Sequence, residues 1–426
     1  MLSIKFSLLP ILFASLATAM VLRREEIHSN TRIKDEINMQ DNSTIQGFTK
    51  EGLAAFNAQF HKMVDNRKLA NVVTLIARHG KVVDLDADGV LDVSATPKVP
   101  AKTDTIYRIA SMTKPITGAA MMILFEEGKW ALNDPISKHI PEFEGLKVKQ
   151  PDGTLVPQVK PMIMAQLMSH SAGFDRTAAY ASLNLRKGNL KDMINELAKV
   201  PLAFQPGKDW RYGPNVDIQG YLVEKLSGMG LDEFFQQKLF GPLGMVDTGF
   251  FVDPSKVGRL TRIHEYDKSG YISAANSSPV GTTKPKFLSG SGGLVSTAED
   301  YWRFCQMILN GGESNGRRYL KAATVKIMHT NVLEDGVNVT INSPNTRGLG
   351  FGMDFAIVQD PKAARTSVGI QSFYWGGAFG TWFWIDPVND MIVIGMIQNS
   401  GGTTPDGAPS VREASAKAAY SALHGV

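Results

Sequence analysis

Strand-forming runs lie near both ends of this chain, and helical runs fill the space between them. Val72 to Ala77 and Lys81 to Leu85, separated by Arg-His-Gly, read as a hairpin. Late in the chain, Thr366 to Tyr374, Thr381 to Ile385 and Met391 to Gln398 are β-rich, with Gly376-Gly377 and Pro387-Val-Asn-Asp390 as turns between them. From Ser111 to about Gly249 the pattern is mostly helical, broken at Gln150-Pro-Asp-Gly and Gln205-Pro-Gly-Lys. Helical periodicity also covers Phe48 to about Leu69, and Pro409 to Leu423 closes the chain as an Ala-rich helix. This order predicts an α/β protein of the α+β type, with an antiparallel sheet built from both termini and a helical region inserted.

The helical region opens on Tyr107-Arg-Ile-Ala-Ser-Met-Thr-Lys-Pro-Ile-Thr. Ser111 and Lys114 are three apart and share a face of a helix, so the amine can reach the hydroxyl. Serine is a poor nucleophile until a base takes its proton, and a desolvated lysine can be that base. A bare S-x-x-K arises by chance roughly once or twice in a chain this long, and a capped helix start with a solvated lysine would look the same. Pro115 places Ser111 near the first turn, where free N–H groups favour developing negative charge. The run from Ile116 to Glu127 reads as a buried helix that would hold the pair rigid.

At 426 residues, with 43% hydrophobic and 20% charged, the chain can bury a full core. A net charge of +4 without a basic block argues against nucleic-acid binding. Residues 1–19 carry a leader signature: Lys5, an apolar run from Phe6 to Leu16, and Ala17-Thr18-Ala19 as a cleavage site. The run is short for a membrane span and contains Pro10. This predicts a periplasmic or secreted protein, with an uncleaved anchor or a start-site artefact as the alternative. Residues 20–47 read as a polar linker or arm, and 48–426 as the folded domain. Cys305 is the only cysteine, so no intramolecular disulfide forms, and its apolar helical setting predicts burial. Sequons start at Asn42, Asn276 and Asn338, a pattern common by chance.

Two further stretches could carry chemistry. Tyr212 lies in Trp210-Arg-Tyr-Gly-Pro-Asn, just before a helical run from Val216 to Leu226. Its hydroxyl can point into a cleft and shuttle a proton, or its ring can pack as most tyrosines do. Trp375-Gly376-Gly377-Ala378 lies between two strands. Paired glycines allow close backbone approach to a ligand and an N–H for an oxyanion, or they simply make a hairpin turn. There is no G-x-S-x-G, no H-E-x-x-H and no cysteine ligand pair, and His170 reads as structural. Gly-Leu-Gly-Phe-Gly at 348–352 is no phosphate loop, and Ser289-Gly-Ser-Gly-Gly-Leu lacks a dinucleotide fingerprint. No metal or organic cofactor is expected.

Several ordered motifs together resemble the serine β-lactamase and penicillin-binding protein superfamily. They are Ile109-Ala-Ser-Met-Thr-Lys-Pro-Ile-Thr, Glu126-Glu-Gly-Lys, Leu132-Asn-Asp-Pro-Ile and Gln166-Leu-Met-Ser-His-Ser-Ala-Gly-Phe. Further on come Phe240-Gly-Pro-Leu-Gly-Met-Val-Asp-Thr-Gly-Phe, Ser291-Gly-Gly-Leu-Val-Ser-Thr-Ala-Glu-Asp and Trp375-Gly-Gly-Ala-Phe-Gly-Thr. The chain is most similar to the class C β-lactamase-like esterases, the family VIII carboxylesterases. The resemblance implies a β-lactamase/transpeptidase-like fold, with an α/β part at about 48–110 and 290–426 and a helical part at about 111–289. It implies Ser111 as nucleophile, Lys114 and Tyr212 as the acid/base pair, and the N–H groups of Ser111 and Ala378 as the oxyanion hole. Trp375, Gly376 and Gly377 would contact substrate.

Two positions depart from the β-lactamase pattern. Pro214 replaces the asparagine of Tyr-x-Asn, and Asn215 is one residue late. Trp375-Gly376-Gly377 stands where β-lactamases have Lys-Thr-Gly, so a cation that would hold a carboxylate gives way to an apolar wall. The expected activity is therefore a serine carboxylesterase that hydrolyses or transacylates small neutral esters. A weak β-lactamase or D-alanyl-D-alanine peptidase is the nearest rival, and a non-catalytic binding protein the rival from another class. The leader yields a first prediction. Protein exported from a bacterial host should begin at Met20 by N-terminal peptide mass spectrometry, and retention of residues 1–19 would mark an uncleaved anchor.

Overall fold

The computed structural model describes residues 44–176, 185–275, 281–340, 347–400 and 410–423. The leader at 1–19, most of the 20–47 arm and the sequons at Asn42 and Asn276 lie outside the described residues. Asn338 is described, and its side-chain amide donates to the Gly336 carbonyl at 3.1 Å.

Helix α1 (Lys50–Asp65) is capped by the Thr49 hydroxyl and buries Leu53, Phe56 and Phe60, a single stripe at helical spacing. It leads into β1 (Asn71–Arg78) and β2 (Lys81–Gly89). The buried helix α2 (Thr113–Glu126) and then α3 (Asn215–Ser227) follow in the inserted region, and α4 (Ala298–Leu309) leads back out of it. The C-terminal part supplies β3 (Leu349–Phe351), β4 (Ala356–Val358), β5 (Phe373–Gly376), β6 (Trp382–Asp386), β7 (Met391–Met396) and α5 (Val411–Ala422). These strands form one antiparallel seven-stranded sheet in the order β3-β4-β5-β6-β7-β1-β2. The two ends of the chain meet where β7 pairs with β1, with Val393 opposite Ile76. The predicted fold class, a sheet drawn from both termini around a helical insertion, is the observed one.

Alternation along β6 shows how the faces are used. Trp382 turns to one side, 5.8 Å from Phe60 of α1, and its indole N–H donates to Ser415 of α5 at 2.9 Å. Trp384 turns the same way and stacks on Tyr420 of α5. Phe383 turns to the other side and meets Tyr301 of α4 at 5.0 Å. Helices cover both faces, so β1 and β7 are buried almost without interruption instead of alternating with polar residues. Cys305 on α4 is fully buried, and burial holds its thiol well above the usual range.

Two elements differ from expectation. The run from Thr366 to Tyr374 is extended only from Phe373 onward. Upstream, Pro361–Ala364 is a helical turn, and Arg365 and Gln371 take left-handed backbone (φ 53° and 65°), which strands do not tolerate. Strands β3 and β4 are three residues each, too short to show alternation in sequence.

Gly395 on β7 lies opposite Trp382, and the indole ring occupies the space a side chain would need. Gly395→Ala should therefore displace that ring and destabilise the fold by about 1–3 kcal/mol, read from the urea midpoint.

Candidate active site

Ser111 lies in a tight turn (Ala110–Met112) that runs directly into α2. Ala110, just before it, has φ 44°, a left-handed conformation that costs a non-glycine residue energy. The turn is held from three directions. Tyr301 Oη donates to the Met112 carbonyl at 2.9 Å, the Leu294 N–H donates to Thr113 Oγ1 at 3.2 Å, and Thr381 Oγ1 donates to the Ile109 carbonyl at 3.3 Å.

Helix α2 is buried on all sides from Thr113 to Met122, Lys114 included. Lys114 Nζ donates to the Ser291 carbonyl at 2.6 Å and to Ser111 Oγ at 3.3 Å. One turn further on, Thr117 Oγ1 donates to the Gly290 carbonyl at 2.7 Å. Gly290 makes this approach possible: a Cβ there would come within 3.3 Å of the Thr117 methyl on α2 and 2.7 Å of the Val216 carbonyl on α3. The loop is itself fixed by Asp217 of α3. Its carboxylate accepts from Ser289 Oγ at 2.7 Å, Ser291 N–H at 3.0 Å and Ser291 Oγ at 2.6 Å.

Tyr212 Oη donates to Ser111 Oγ at 2.8 Å, so the structure brings Ser111, Lys114 and Tyr212 together around one oxygen. The Lys114 amine also lies over the Tyr212 ring, 4.5 Å from its centre. His170 and Trp375 pack around the same ring at 4.9 Å and 5.7 Å. His170 is fully buried, and burial, reinforced by the Lys114 and Arg176 charges, holds its imidazole well below the usual range and therefore neutral. Its Nδ1 faces the Asn215 amide at 3.0 Å. Asn215 is thus turned inward, and it does not replace the cleft amide lost at Pro214.

Trp375 lies behind the tyrosine. It is only 3% exposed, with its ring against Tyr212 and edge-on to Phe351. It backs the tyrosine; almost none of it is left as a substrate-facing wall. Gly376 and Gly377 follow at the end of β5, and a Cβ on Gly377 would come within 2.5 Å of the Ile109 carbonyl. That close approach brings the turn after β5 against the nucleophile's turn. Ala378, next along, is exposed, and among the described residues its N–H has no partner. A free donor there can face a developing oxyanion.

A hollow of about 510 Å³ adjoins this group, lined by Asp175, Arg176, Arg186, Pro214, Phe287 and Ser291 among others. Another of about 520 Å³, at Phe240, Phe250 and Val252, includes none of the Ser111 group. Among the described residues no cluster of three or more His, Cys, Asp or Glu could hold a metal, and no helix is long and apolar enough to cross a membrane.

Of these contacts, Ser291, Asp217 and His170 were not assigned site roles from sequence. The glycine-rich 289–293 run was the available signal, as a place of close backbone approach.

The family model described as Beta-lactamase matches residues 56–417. Protein Rv1367c of Mycobacterium tuberculosis is 32% identical over 372 residues, covering 83% of this chain and 92% of that protein. Esterase EstB of Burkholderia gladioli is 29% identical over 359 residues, covering 78% and 86%. Among solved structures, EstCE1, described as a hydrolase with promiscuous acyltransferase activity, superposes with a TM-score of 0.73 at 24% identity, covering 87% of this chain and 99% of that one.

Asp217 touches the loop that positions Lys114 but not Ser111 itself. Asp217→Ala should release the Ser291 carbonyl and lower kcat by roughly tenfold or more, with KM little changed, in steady-state ester kinetics.

Proposed function

Since this chain belongs to the beta-lactamase family, we propose that it is a serine carboxylesterase that hydrolyses or transacylates esters through an acyl-enzyme. The observation that carries the reading is the meeting of Tyr212 Oη and Lys114 Nζ on Ser111 Oγ, at 2.8 Å and 3.3 Å. The esterase name borne by EstB supports the choice of ester over lactam. The Trp375 and Pro214 substitutions support it as well. They remove the cation and the amide that a β-lactam would use.

In this mechanism Ser111 Oγ forms the bond to the ester carbonyl carbon as its proton passes to Lys114 Nζ. The carbonyl oxygen becomes an oxyanion and is met by the N–H groups of Ser111 and Ala378. The ester C–O bond breaks as Tyr212 gives its proton to the leaving alcohol. Lys114, whose amine lies over the Tyr212 ring, then returns the proton to the phenolate. Water, or a second alcohol, attacks the acyl-enzyme and returns the same protons in reverse. We read the leader as an export signal, so this chemistry would take place in the periplasm or outside the cell.

Incubation with short-chain aryl esters, a chromogenic cephalosporin and a fluorophosphonate probe tests the reading. The wild type should take the label and turn over the esters faster than the cephalosporin. Ser111→Ala should lose labelling and at least about 10³-fold in kcat. Ester turnover that survives Ser111→Ala would sink the mechanism. A preference for the cephalosporin would favour the lactamase or peptidase reading, and an inert wild type the binding protein.

A further inference from the structure

We propose that the hollow beside Tyr212 contains a carboxylate subsite formed by Arg176 and Arg186, so that the preferred ester carries a free carboxylate at the end remote from the scissile bond. This deepens the esterase reading and rests on it for the identity of the reacting group. Both arginines are exposed and line the same hollow of about 510 Å³. The Arg176 guanidinium lies 4.5 Å from the centre of the Tyr212 ring, one phenol away from the nucleophile. The Arg186 guanidinium lies 5.8 Å from the centre of the Phe287 ring.

A guanidinium resting on an aromatic face keeps its N–H edge free, and that edge matches a carboxylate in bidentate fashion. Among the described residues neither arginine has a carboxylate partner. Two acidic residues also line the hollow, and both are already engaged. Asp175 pairs with Arg211 at 3.3 Å, and Asp217 accepts the three bonds from Ser289 and Ser291. The stretch at 177–184 contains no Asp or Glu that could neutralise the pair.

The position also differs from that of a β-lactam anchor. There the cation would stand at Trp375, on the strand side of the cleft. Here the two guanidiniums stand with Pro214, on the side of α3. The substrate expected as neutral is in this view uncharged at the ester and anionic at its far end, like the monoester of a dicarboxylic acid.

Monoethyl adipate and diethyl adipate differ only in that far-end charge. Calorimetric titration of Ser111→Ala with each measures binding without chemistry. The monoester should bind roughly tenfold more tightly at low salt, with the margin shrinking as salt is raised. In the Ser111→Ala background, Arg176→Gln should cut that margin, and Arg176→Gln with Arg186→Gln should erase it, with the affinity for diethyl adipate unchanged. Equal binding of the two esters to Ser111→Ala, or a margin that survives the double replacement, would overturn the proposal. Turnover of diethyl adipate by the wild type is measured in parallel. Its absence would count against the esterase reading and leave the binding result to judge the subsite.

Discussion

The amine of Lys114, enclosed in the core at the start of a helix buried on every side, is the constraint around which the site is arranged. An amine taken out of water must be given hydrogen-bond acceptors, and among the described residues two are offered: the Ser291 carbonyl and Ser111 Oγ. The first acceptor requires a loop that comes close enough to α2, hence Gly290, where a Cβ would come within 3.3 Å of the Thr117 methyl. It also requires that loop to stay in place, hence the three bonds to Asp217. The second acceptor is the nucleophile. Burial of one amine thus couples the catalytic oxygen to α3 and to the 289–293 loop.

Tyr212 is held by shape as much as by hydrogen bonds. Its ring is packed by His170 and Trp375 and approached by Lys114 and Arg176, so the hydroxyl has little freedom except toward Ser111. Aromatic packing of this kind fixes a phenol without adding polar atoms that would compete for its proton. The neutral state of His170 follows from the same enclosure, since an imidazolium would be buried beside two cations.

The fold was legible where the chain is periodic over several residues. The hairpin of β1 and β2, the buried α2 and the closing α5 all come from such patterns, and so does the joining of the two ends in one sheet. The three-residue strands β3 and β4 and the interrupted stretch before Phe373 were not legible, because no period can be established over so few residues. In the site, Ser111 and Lys114 were accessible because they are neighbours on a helix, and Tyr212 and Ala378 entered through motifs. The Ser291 carbonyl was hidden, because a backbone oxygen has no residue type to reveal it. The packing of Trp375 on Tyr212 was hidden for a related reason: sequence names the ring but not the neighbours it packs against.

The pairing of β7 with β1 has a consequence for how the molecule comes into being. The strand at Asn71–Arg78 waits for its partner at Met391–Met396, more than three hundred residues later in synthesis. Until then the outer edge of an apolar hairpin stays unpaired, open to association with other chains. The nucleophile's turn is in the same position, since Thr381 and Tyr301, which hold it, are made long after it. Nascent chains therefore carry Ser111 before the residues that hold its turn have been made.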